Sequence, residues 1–209
     1  MSWVSDLKFG GSHVRRKMTF SGITILLFSI MVIAAISAVS RRGSSAPAEL
    51  QDLGSSDQLK QRLQQDSGKV KLIALLSPVC PYCRRGFADM QSVLKNVPDD
   101  RVRAYIVWLP MFPSDSRGWA QTRTNEFSDP RLSYYWDGGK LTGEDWAKAL
   151  GIDRTAWDVY FLYGAKTDWN KGTPTPDFWM HQLGGVTKAP MLNKNDFEAK
   201  LKELLASHN

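Results

Sequence analysis

Apolar residues fall along this chain in one long block and two shorter rhythms. The block is residues 20–39, FSGITILLFSIMVIAAISAV, which carry no charge. At about 1.5 Å per residue such a helix spans roughly 30 Å, the thickness of a bilayer's hydrocarbon core. The first rhythm is the short apolar or alternating run: 69–77 (KVKLIALLS), 101–109 (RVRAYIVWL), 157–163 (WDVYFLY) and 178–183 (FWMHQL). Runs of that length, rich in β-branched and aromatic residues, predict strands. The second rhythm is helical. Phe87, Met90, Leu94 and Val97 recur at spacings of three and four and give one buried face, closed by Pro98.

Weaker signals fill the rest. Ser55-Ser56-Asp57-Gln58 reads as a capping box for a short helix ending near Gly68, with Leu59 and Leu63 on its apolar side. Residues 40–57 are rich in Ser, Gly, Ala and Pro and predict a linker, with one helical turn at 48–53. A helix is expected over 117–127, an extended piece at 132–136, and a helix over 142–150 capped by Thr142 and ended by Gly151. Residues 164–177 form a long hairpin loop. Asn195-Asp196-Phe197-Glu198 starts a final helix with Phe197, Leu201, Leu204 and Leu205 as its stripe. The predicted organisation is a basic N-terminus at 1–19, a transmembrane anchor at 20–39, a linker and short helix at 40–68, and an α/β domain at 69–209.

Composition narrows the class. With 209 residues, 43% hydrophobic and 23% charged, the chain has enough apolar material for one core. Two cysteines exclude a disulfide framework and a four-cysteine zinc site. The net charge of +6 is shared equally between residues 1–40 and the remaining four-fifths of the chain, +3 each. Charge gathered beside an apolar block belongs to membrane topology, so no nucleic-acid partner is expected. Arg15, Arg16 and Lys17 precede the block and Arg41 and Arg42 follow it. The more basic N-terminal flank puts residues 1–19 in the cytoplasm and the domain on the far side, with residues 20–39 in contact with lipid. The rival is a signal peptide cleaved after Ala38-Val39-Ser40. The block is longer than the usual ~7–15 residue core of such peptides.

Both cysteines lie in Cys80-Pro81-Tyr82-Cys83, after a strand and at the start of a helix. There the free N–H groups and the helix dipole favour a thiolate on Cys80, the reactive form of the group. Pro81 suits the first helical position, which needs no N–H donor. Cys83, one turn on, is placed to resolve a mixed disulfide. Inert core cysteines, a fixed structural disulfide and half of a metal site are the competing readings. For metal, Met180 and His181 are the remaining soft ligands in a predicted strand.

Strand, CPYC, helix and strand, followed by a later hairpin and a terminal helix, resembles the thioredoxin superfamily over residues 69–209. The resemblance implies a central mixed sheet flanked by helices, here preceded by one transmembrane helix. It implies Cys80 as attacking thiol, Cys83 as resolving thiol, Pro81 and Tyr82 as motif support, and no cofactor or metal beyond the cysteines. The anchor makes the chain similar to tethered periplasmic members at a bacterial inner membrane, whose partners are protein thiols and disulfides. Three positions depart from the family pattern. Arg154-Thr155-Ala156-Trp157 holds no proline where a cis-proline is usual. Ala74 stands where thioredoxins carry a buried Asp. Val79 replaces a Trp before the first cysteine.

Two other readings follow from the same residues. One is a non-catalytic accessory subunit of a larger membrane complex, with the cysteine pair as a fixed disulfide. The other is copper handling through Cys80, Cys83 and His181. Seven of eight tryptophans lie between Trp108 and Trp179. They read as core and loop packing, or as a docking surface centred on the loop around Asp168-Trp169. Asp115, Asp129, Asp137 and Asp158 read as caps and turn residues.

Overall fold

The computed structural model describes residues 48–207. The expected anchor and its basic flanks lie outside them. Among the described residues no helix is long and apolar enough to cross a membrane.

Six strands form one sheet: β1 (Leu50–Asp52), β2 (Val70–Leu76), β3 (Val102–Trp108), β4 (Leu132–Trp136), β5 (Val159–Tyr163) and β6 (Phe178–His181), in the order β1-β4-β3-β2-β5-β6. β1, β4, β3 and β2 run parallel, and β2 and β3 stay in step from Val70–Val102 to Leu76–Trp108. β5 pairs antiparallel with β2 and with β6. Among the described residues five helices cover the sheet: α1 (Ser56–Gln65), α2 (Pro81–Asn96), α3 (Arg117–Thr124), α4 (Leu141–Leu150) and α5 (Lys194–Ala206). A mixed sheet in this order, with the cysteines opening the helix after β2, fits the thioredoxin-like arrangement expected from the sequence.

The sheet is buried on both faces, which is why β2 and β5 read as continuous apolar runs. Alternation divides their side chains. Leu72, Ala74, Leu76, Tyr160 and Leu162 face α2 and α5, which supply Phe87, Met90, Leu94, Phe197 and Leu201. Ile73, Leu75, Phe161 and Tyr163 join Leu59 and Leu63 of α1 and Trp146 and Leu150 of α4 on the other face. Phe87 meets Trp108 edge to face at 5.2 Å between ring centres, and the Trp108 indole donates to Thr124 Oγ1 at 3.1 Å.

Four local expectations are corrected. The helical turn at 48–53 is instead β1, whose Leu50 and Asp52 pair with Tyr134 and Trp136. Thr142 does not cap α4. Asp137 does, accepting from Leu141 N (3.1 Å), Thr142 N (2.7 Å) and Thr142 Oγ1 (2.6 Å). α5 starts earlier than the 195–198 pattern implies, because Asn193 Oδ1 accepts from the N–H groups of Asn195 and Asp196. Trp169 is 3% exposed and packs against Tyr163 and Trp146. The loop suspected as a docking surface therefore turns its tryptophan inward.

Lys71 on β2 is fully buried, and its ammonium nitrogen has no hydrogen-bond partner. Burial lowers its pKa, and the Asp66 charge opposes the shift. A base whose folded pKa is depressed loses folding stability as pH falls below its unfolded value, because only the unfolded chain takes the proton freely. Lys71→Met should therefore stabilise the domain by about 1–3 kcal/mol at pH 7 in urea unfolding. The gain should shrink as pH rises towards 10.

Candidate active site

The motif sits at the carboxyl end of β2. The chain leaves the strand at Leu76 and turns through Ser77, Pro78 and Val79. It enters α2 with Cys80 as the N-cap and Pro81 at the first helical position. Cys80 Sγ accepts from the N–H of Cys83 at 3.5 Å, taking the place a Ser or Asp oxygen usually fills. Cys83 faces inward and Tyr82 outward at 60% exposure. Cys80 is 3% exposed, with exposed Pro81 and Tyr82 beside it. Both cysteines are buried as free thiols. Cys80, Pro81, Tyr82 and Cys83 thus lie together at the start of α2.

One carboxylate organises the turn that carries them. Asp115 accepts from Ser77 Oγ (2.8 Å), Val79 N (3.0 Å), Met111 N (2.8 Å) and Phe112 N (2.8 Å). Ser77 completes the arrangement. Its hydroxyl accepts from Cys80 N at 3.3 Å, and its own N–H donates to Cys83 Sγ at 3.4 Å. Arg123 of α3 donates to the Pro78 carbonyl at 3.0 Å. The loop after β3 is thus tied to the loop after β2, and both cysteines hang from the tie.

A second carboxylate reaches the thiols from the other side. Asp158, at the entrance to β5, is 2% exposed and adopts φ 51°. Its Oδ1 accepts from Tyr160 OH at 2.7 Å and from Gln182 Nε2 at 3.0 Å. Gln182 Nε2 also meets the carbonyl of Tyr82 at 3.1 Å, linking the network to the motif. The sulfurs of Cys80 and Cys83 and a carboxylate oxygen of Asp158 all lie within 4.8 Å of one another. Gly86 makes this approach possible, since a Cβ there would stand 1.8 Å from the Tyr160 hydroxyl. Where the family resemblance implies a cis-proline, the described backbone has no cis bond, and the left-handed Asp158 follows the Arg154-Thr155-Ala156-Trp157 stretch.

The two thiols are electrostatically unlike. The Cys83 thiol as hydrogen-bond donor, then the backbone N–H groups of Cys83 and Tyr82, lower the Cys80 pKa to about 6 against burial and the Asp158 charge. Burial first, then the bond to Cys80 and the Asp158 charge, push the Cys83 thiol well above its ordinary value. Burial also raises Asp158, against hydrogen bonds from Tyr160, Gln182 and Cys83 and the nearby His181.

His181 does not join the cysteines as a ligand. Its Nδ1 accepts from Leu183 N at 3.0 Å, which leaves the proton on Nε2, 3.0 Å from the Ala189 carbonyl. The copper reading loses its third ligand. Cys80, Cys83 and Asp158 are the one group of three Cys, His, Asp or Glu side chains near enough to share an ion among the described residues. Asp115 and Asp158 were placed among the turn residues by sequence. Both do shape loops, and both also touch the cysteine network. Their only sequence signal is position, just after β3 and just before β5.

No family model matches the chain. A curated relative, the Arabidopsis thaliana zinc finger AN1 and C2H2 domain-containing stress-associated protein 13, is 30% identical over 73 residues. That match spans 35% of this chain and 29% of the relative's length. Among solved structures, the backbone is similar to a thioredoxin from Neisseria meningitidis at 14% identity and TM-score 0.45, over 68% of this chain and 79% of that one. A thiol:disulfide interchange protein of Chlorobium tepidum gives 18% and 0.42, covering 68% and 83%. An SCO1/SenC family lipoprotein of Bacillus anthracis gives 12% and 0.44, covering 68% and 84%. Identities this low transfer no residue role.

Thiolate absorbance near 240 nm in the reduced protein should rise with a midpoint near pH 6 and vanish from that range in Cys80→Ala. The Cys83 signal should not appear until well above pH 9. Asp115→Ala strands four donors and should cost about 2–4 kcal/mol in denaturant unfolding.

Proposed function

We propose that this chain is a thiol–disulfide oxidoreductase of the thioredoxin fold that acts on protein partners through Cys80 and Cys83. The observation that carries the reading is the asymmetry of the pair. One thiol caps a helix and ionises near neutral pH, and its neighbour is buried and protonated. A fixed structural disulfide needs no such difference, and neither does an inert core pair.

In the reducing direction the Cys80 thiolate attacks a partner disulfide. An S–S bond forms between Cys80 and the partner, and the partner's other sulfur leaves as thiolate with the bonding electron pair. Cys83 then loses its proton and attacks Cys80 Sγ. The Cys80–Cys83 bond forms, the mixed disulfide breaks, and the partner departs reduced by two electrons while the chain is oxidised by two. The oxidising direction runs the same bonds in reverse. The uncharged block at 20–39 and its basic flank support tethering to a bacterial inner membrane with the domain on the periplasmic side. Membrane-complex subunits are the partner class that would go with the accessory reading.

The test is a trap. Full-length Cys83→Ala, with no resolving thiol, should accumulate mixed disulfides visible as discrete adducts on a non-reducing gel, and these should disappear in Cys80→Ala. Purified with glutathione disulfide, it should hold one glutathione per chain. Absence of any adduct, with the protein co-purifying with a constant set of subunits, would replace the enzyme reading with the accessory one.

A further inference from the structure

Asp158 is the carboxylate nearest the two sulfurs, and the scheme above does not use it. Asp158 is buried, close to both sulfurs, and held in a left-handed conformation that Asp tolerates better than most residues but that still costs energy. β2 offers no carboxylate at this level. The residue it presents there is Ala74, which pairs with Tyr160 across the sheet. Tyr160 faces α2, and the left-handed turn at Asp158, just before β5, brings its carboxylate to the Tyr160 hydroxyl on that side. Tyr160 and Gln182 then fix the carboxylate by bonds to Oδ1. Gly86 lets Tyr160 stand against the helix backbone.

We infer that Asp158 is a catalytic residue that accepts the Cys83 proton during resolution of the mixed disulfide. The inference rests on the proposed function and deepens it. As Cys83 Sγ attacks Cys80 Sγ, its proton passes to the Asp158 carboxylate. The sulfur–sulfur bond to the partner breaks, and the partner leaves as thiolate. The carboxylic acid then returns its proton to that thiolate or to water. No oxidant beyond the partner disulfide is consumed. The groups facing Asp158 are Cys80 and Cys83 of α2, Tyr160 of β5, and His181 and Gln182 at the end of β6. The bond from Cys83 to Asp158 favours the carboxylate, and burial favours the acid. That balance suits a group that must both take and release a proton.

Asp158→Asn separates this role from simple electrostatics. Removing a negative charge beside Cys83 should let its thiol ionise at lower pH, read at 240 nm in the Cys80→Ala background. By charge alone, resolution would speed up. A lost proton acceptor should instead slow it, by about tenfold at pH 7. The readout is acid-quenched mass spectrometry of reduced protein mixed with glutathione disulfide, which counts mixed and closed disulfides over time. First attack by Cys80 should stay within about twofold of wild type. Should Asp158→Asn fold poorly, Tyr160→Phe gives the second reading. It removes one donor that stabilises the carboxylate, so the pH profile of resolution should move to higher pH. Resolution as fast as wild type in Asp158→Asn, or an unmoved profile in Tyr160→Phe, overturns the assignment alone. A wild-type protein that never closes its disulfide overturns the assignment and the proposed function together.

Discussion

A sulfur caps the helix that follows β2. Cys80 takes the N–H of Cys83 where a Ser or Asp would ordinarily sit, so the helix start is satisfied best when that sulfur is charged. The unpaired N–H groups of a helix end are thus turned into a lowered thiol pKa, and the partner thiol, one turn deeper, is buried by the same geometry. Chemistry and fold are joined at this point. The helix can start here only if the strand ends here, and Asp115 fixes where the intervening turn lies by gathering donors from the loops after β2 and β3.

The sheet supplies the rigidity that the turn needs. β2 is buried on both faces and paired on both edges, to β3 and β5. The end of such a strand has little freedom to move. β5 contributes on the same level, because its alternation sends Tyr160 towards α2 and the left-handed residue before it, Asp158, bonds that tyrosine. The site is therefore a meeting of two strand ends and one helix start, with the carboxylates of Asp115 and Asp158 each held by at least two hydrogen bonds.

Much of this arrangement was legible in the sequence. Apolar runs located β2 and β5, since burial on both faces removes polar alternation, and an alternating run ending in an apolar stretch located β3. The spacing of Phe87, Met90 and Leu94 located α2, and the cysteines fell at its start as expected. The misses share a cause. β1 is three residues long with two of them exposed, so it has no pattern of its own and exists because β4 offers an edge. Asn193 caps α5 from a position before the box that the sequence offered, and Asp115 and Asp158 reach the cysteine network from loops after β3 and before β5, where an Asp looks the same whether it caps a turn or faces a thiol. Lys71 was hidden inside an apolar run, where a single charge does not change the period. The missing carboxylate of β2 was visible at Ala74, but its replacement from β5 required the register that pairs Ala74 with Tyr160.

The central claim is that Cys80 and Cys83 cycle between dithiol and disulfide. The most direct measurement is the number of free thiols in the full chain equilibrated across glutathione redox buffers, approached from both the reduced and the oxidised protein. The account predicts one reversible two-electron transition in which both thiols disappear together and return together, with the same midpoint from either side. A pair that stays reduced at every poise, or that once oxidised resists excess dithiothreitol, would contradict it.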